Sequence, residues 1–199
     1  MTTEIISGFN WVDILIGVIL VRAVFVGAKR GIVIETFKLV GIIFAVFITL
    51  HYYSGMSKSL QDKMHLPQGA ADLFSFSVLW GLINLIFKLI RDGFLMLFKM
   101  EATHSILDKW GGMFVAVLRG LLICSLTVLC MRASAIEYLT KNLEKSLTAS
   151  KLVSLSPRVY ESCYNNFVSK FFPTEEFNKA VFKLADLTTE KKQEPKKKK

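Results

Sequence analysis

Apolar residues gather in four blocks within the first 131 positions, each about as long as the roughly 20 residues that cross a bilayer core. The first, residues 11–28, reads WVDILIGVILVRAVFVGA. The second, residues 32–52, follows after a tight turn at 28–31, so the pair is expected to form a hairpin. The third, residues 71–90, holds Trp80 and Asn84, and the fourth, residues 110–131, is interrupted by Arg119. Between the last two lies RDGFLMLFKMEATHSILDK, whose Phe94, Leu95, Leu97 and Phe98 suit an interfacial helix better than an extension of the third block. The first block lacks a basic segment ahead of its apolar core and runs into KRG, so it reads as a retained helix, not a cleaved signal.

Past Met131 the pattern turns amphipathic. Ile136, Leu139, Leu143 and Leu147 recur at helical spacing, with Lys141, Glu144 and Lys145 between them. Ser156 and Pro157 read as the cap and first residue of a second helix, whose apolar members include Tyr160, Cys163, Phe167 and Phe171 and which Pro173 ends. Thr174 is placed to cap a third helix over 175–187, with Phe177, Val181, Leu184 and Ala185 on its apolar side. So few buried candidates make a weak independent core, which favours contact with a membrane surface or a partner. The expected architecture is an all-α integral membrane protein: four transmembrane helices in residues 1–131, an amphipathic helical extension in 132–189, and a disordered lysine-rich tail in 190–199.

Composition supports that division. Hydrophobic residues form 52% of the 199 and mean hydropathy is +0.44, while charged residues supply 21% against about a quarter in soluble domains, so a soluble enzyme is excluded. The net charge of +9 lies mostly in the tail: residues 1–131 hold 11 basic and 8 acidic side chains, the remainder 14 and 8. The terminal lysines come without arginine or aromatic neighbours, so they suit attraction to anionic lipids, or a solvated end, more than nucleic acid. Basic residues flanking the blocks divide evenly between the two sides. The short N-terminus with Glu4 and Asp13 breaks the tie toward exported termini and a cytosolic KRG turn.

Two residues carry an obvious cost. Arg22 and Arg119 sit inside apolar blocks, where an arginine costs at least about 2.5 kcal/mol on insertion scales. Asp13, Glu35, Asp72 and Asp108 are candidate partners, and Asn84 could join by a hydrogen bond. Three roles stay open: a buried ion pair or snorkelling cation that fixes helix order, a polar route or anion site at Arg119, and contact with lipid headgroups. Gly112, Ala116 and Gly120 share one face of the fourth block and suit close backbone packing, as do the pairs Gly41/Ala45 and Ser77/Gly81. Cys124, Cys130 and Cys163 form no CxxC. His51, His65 and His104 lack metal-ligand spacing and read as solvent-facing, and no nucleophile, phosphate or dinucleotide motif occurs, so neither cofactor nor catalysis is expected.

The run KRGxxxE after the first block and LDKWGGxxxAxxRG at the fourth resemble the colicin V production protein family of bacterial inner-membrane proteins. Trp11 and Asp13 match its early WxD; Arg30, Gly31 and Glu35 match the basic-Gly then Glu pattern; Leu107, Asp108, Lys109, Gly111, Arg119 and Gly120 match its fourth-helix motif. Lys109 replaces the usual Arg, and Trp110 an aliphatic residue. The resemblance covers residues 10–132. It implies a non-enzymatic, multi-pass inner-membrane protein supporting colicin V-like toxin production or export and envelope homeostasis, without catalytic residues to carry over. A small-solute or ion transporter, or a channel subunit, is the competing class. A homo-oligomer or an envelope partner fits either. Asp13, Arg22, Arg30, Gly31, Glu35, Asp108, Gly112, Arg119 and Gly120 are the expected structural or functional centre.

Overall fold

The computed structural model describes residues 10–98, 106–146, 148–172 and 175–185. Its first element, α1 (Trp11–Met64), is a 54-residue helix that takes in both of the first two apolar blocks. Asn10 caps it: its side chain accepts from the Trp11 amide at 2.7 Å, and Asp13 Oδ2 accepts from the Asn10 amide at 3.1 Å. Drawn straight, α1 would run about 80 Å, far beyond a hydrocarbon core of about 30 Å. It bends at Gly31, whose φ of 79° and ψ of 170° are non-helical. That φ favours glycine, and a Cβ there would also run into the Asp108 carboxylate.

Two further long helices follow, α2 (Gln68–Phe98) and α3 (Ile106–Ala133). Their contacts with α1 define its path. Before Gly31, positions 16, 23 and 27 meet 124, 120 and 116 of α3, so this limb runs against α3. After it, Ile32 meets Gly111 and Glu35 meets Arg119, so the second limb runs with α3. The second limb is also antiparallel to α2, pairing Phe37 with Phe94, Phe44 with Phe87 and Tyr53 with Phe76. The chain therefore reverses at Gly31 and both limbs lie against α3.

Three helices among the described residues are long and apolar enough to cross a membrane, not the four expected: α1, α2 and α3. The four apolar blocks are real, but the first two are joined at a single non-helical residue, Gly31, where the chain reverses, so both fall within α1. A second correction concerns the stretch after the third block. Residues 91–98 extend α2 to 31 residues instead of forming a separate interfacial helix, because nothing from Arg91 to Phe98 breaks the helix. Many large apolar side chains point outward, among them Val21, Phe25, Leu89, Ile90 and Phe114, which gives the long helices a lipid-facing surface.

The extension comprises α4 (Glu137–Lys145), α5 (Ala149–Leu152), α6 (Leu155–Cys163), a π-helical turn (Tyr164–Val168), α7 (Ser169–Phe171) and α8 (Ala180–Ala185). Ser156 is not the cap of its helix. The cap position is Ser154, and the Ser156 amide donates instead to Ser125 Oγ of α3 at 2.9 Å. The extension packs on the long helices: Leu143, Leu152, Tyr160 and Val181 join the buried cluster that holds Val46 and Leu126. Leu147, Pro173, Thr174, His104, Glu4 and the lysine tail lie outside the described residues.

Candidate functional site

Small residues bring the first limb of α1 and α3 into backbone contact. A Cβ on Gly112 would lie 2.6 Å from the Gly27 carbonyl oxygen, and one on Gly27 equally close to that of Gly112. Gly120 is less constrained, since its Cβ would meet the side chains of Ala23 and Leu20 at 3.1 and 3.2 Å. Asp108 completes the reversal: its Oδ1 accepts from the Ile32 amide at 2.7 Å, holding the start of the second limb after Gly31. Gly41 packs on Phe87, whereas Gly81 has open space around it, so the Ser77/Gly81 spacing forms no contact face there.

This close crossing sets Glu35 against Arg119. The Glu35 side chain has no exposed surface and serves two cations: Lys38, one turn along, through Oε1, and Arg119 through Oε2. Arg119 Nη2 stands 3.0 Å from Oε2, an ion pair by distance whose direction misses hydrogen-bond geometry, and Arg119 Nε is buried without a partner. Three of the other expected partners serve elsewhere. Asp13 Oδ1 accepts from Ser146 Oγ at 2.7 Å and the Thr148 amide at 3.1 Å, Asp108 holds Ile32, and Asn84 donates to the Trp80 carbonyl.

Two cavities flank Arg119. One, of about 280 Å³, lies between the second limb and α2 and is lined by Arg30, Lys38, Lys88, Arg91 and Arg119 with apolar neighbours such as Phe37 and Phe87. The other, of about 270 Å³, is lined by Arg22, Arg30 and Arg119 with Ile19, Ala23 and Val26. Arg30 and Arg119 border both. Among the described residues, no acidic side chain lines either one. Such an arrangement attracts anions, and no nucleophile paired with a base stands beside it. Among the described residues no group of three or more His, Cys, Asp or Glu could hold a metal ion.

At the opposite end of the second limb a polar knot ties down the extension. Tyr160 Oη lies 3.0 Å from His51 Nδ1 and accepts from the Asn178 amide, while His51 Nε2 stands 3.1 Å from Glu175 Oε2. Burial pushes the Tyr160 phenol up, so it keeps its proton and can donate to His51 Nδ1. Asn178 Nδ2 donates to the Leu50 carbonyl at 2.7 Å and to Ser54 Oγ at 3.1 Å. His51 is thus buried, contrary to the solvent-facing reading; a histidine at the end of an apolar block gives no sign of a tyrosine 109 residues away.

The colicin V production protein family matches residues 12–157, about three quarters of the chain. The chain belongs to that family. Neither a curated protein nor a solved structure matches it. With its long apolar helices, this member of the family is a multi-pass membrane protein. The family match runs 25 residues past the span that the sequence motifs cover, and it takes in Ser146, Thr148 and Ser156, three of the points where the extension bonds to α1 and α3. Of the nine expected centre residues, Gly31, Asp108, Gly112, Glu35 and Arg119 gather at the reversal, Arg30 and Arg22 line the cavities, Gly120 lies one turn beyond Ala116 on the α3 packing face, and Asp13 lies at the far end. Lys38, Lys88 and Arg91 complete the cationic lining. Their signal was a pair of cations three positions apart on an otherwise apolar helix, and a lysine three positions after Glu35.

Proposed function

We propose that the protein is a non-enzymatic component of the bacterial inner membrane that supports production or export of a colicin V-like toxin, together with envelope homeostasis. The observation that carries this reading is the family match over a bundle whose centre is an ion-paired carboxylate, with the surrounding residues suited to holding helices and charges instead of breaking bonds. Its test is toxin secretion by a bacterial strain in which this chain is deleted and then restored. The wild-type chain is expected to recover secretion, and Arg119→Leu to lose it at equal membrane abundance. Unchanged secretion in the deletion strain overturns the reading.

Transport of a small solute or ion is the second reading, favoured by the two cavities that share Arg30 and Arg119. Purified protein in liposomes decides it. Flux abolished by Arg119→Ala, with assembly intact, supports transport; absence of flux across a broad solute panel counts against it.

A further inference from the structure

We propose that the cavity between the second limb of α1 and α2 binds a phosphate group, carried either by an anionic phospholipid headgroup or as the free ion. Charge is the first argument. Five basic side chains line the cavity, and among the described residues two carboxylates pair with any of them: Glu35 with Lys38 and Arg119, and Asp92 with Arg91. Arg30 and Lys88 have no carboxylate within ion-pair distance among the described residues. Uncompensated cations at membrane depth are costly, and an anion in their midst offsets that cost.

Donor geometry is the second argument. Arg119 Nε is buried without a partner while its Nη2 faces Glu35, so the hydrogen-bonding capacity of this guanidinium is incompletely met. A planar guanidinium offers paired donors that match phosphate oxygens, and several cations on different sides suit a group with three or more oxygens better than a single carboxylate.

Size and position agree. At about 280 Å³ the space is close to the lower end of small-ligand sites, which begin at roughly 300 Å³, and is too small for a folded peptide. It lies toward the Gly31 end of the bundle. There Lys88 and Arg91 stand in the last three turns of α2. The inference does not depend on a role in toxin export.

The test uses the full chain in neutral maltoside micelles and three probes: dioctanoyl phosphatidylglycerol, inorganic phosphate and uncharged dioctanoylglycerol. Saturable binding of a phosphate-bearing probe, without binding of dioctanoylglycerol, is expected. The double variant Lys88→Gln/Arg91→Gln is expected to weaken that binding at least tenfold. Lys58→Gln/Lys63→Gln, at the other end of the second limb, is expected to leave it unchanged. Phosphatidylglycerol binding at least tenfold tighter than inorganic phosphate assigns the lipid as source; comparable affinities assign the free ion. If the first double variant does not fold, Arg30→Gln is read in the same way. The proposal is overturned if neither phosphate-bearing probe saturates, or if the Lys58/Lys63 variant weakens binding as much as the cavity variant.

Discussion

Glu35 has no exposed surface, and each of its oxygens faces a cation. Removing one member of a buried pair typically costs about 3–5 kcal/mol, because the other is left uncompensated, whereas replacing both by apolar groups is often neutral. Glu35→Leu alone is therefore expected to lower the thermal unfolding midpoint in detergent sharply, and Glu35→Leu/Arg119→Leu to recover a good part of the loss. A double variant no more stable than the single one would show that the pair contributes little to the fold. Gly31→Ala is expected to destabilise by about 1–3 kcal/mol, since it combines an unfavourable φ with a clash against Asp108; a midpoint unchanged from the wild type would refute that strain. Arg119 and Glu35 were both visible in the sequence as charges in apolar surroundings. The expected hairpin already implied the reversal; selecting Glu35 from four candidates required its register against α3, which brings position 35 beside 119 and leaves Asp13 at the other end of the bundle.

Helices α1 and α3 meet through backbone at Gly27 and Gly112, but through side chains at Gly120. The order of damage follows from that difference. Gly112→Leu is expected to disrupt the crossing most, Gly120→Leu less because Leu20 can shift, and Phe114→Leu least because Phe114 is 67% exposed. Cross-linking between cysteines placed on α1 and α3 reports this order, and equal yields in all three would sink it. The pattern of apolar blocks located every long helix, and the small-residue face of α3 was legible from its fourfold spacing. Helix boundaries were not. Hydropathy cannot distinguish a loop at KRG from a single non-helical glycine, and it undervalued RDGFLMLF, whose charges at Arg91 and Asp92 bond to each other on an unbroken helix.

On the scale of the whole molecule, the extension is part of the packed structure. Tyr160 is fully buried and stacks on Phe47 of α1 and Phe177 near α8. Tyr160→Phe removes its bonds to His51 and Asn178 while keeping the ring, so a loss of about 1–3 kcal/mol is expected, read as faster limited proteolysis of the extension; cleavage at the wild-type rate would contradict it. The amphipathic pattern showed that this segment needed an apolar surface to rest on. It could not show that the surface is the protein's own, because that depends on partners such as Ser125 with Ser156 and His51 with Tyr160, far apart along the chain. Asp13 sets a further condition, one of timing. Its limb is synthesised well before the hydroxyl and amide that satisfy Oδ1, which belong to residues 133 and 135 positions later. Asp13 Oδ1 therefore gains these two partners only once the ribosome has released Thr148. A nascent chain arrested before Ser146 is thus a distinct, half-capped state of the protein.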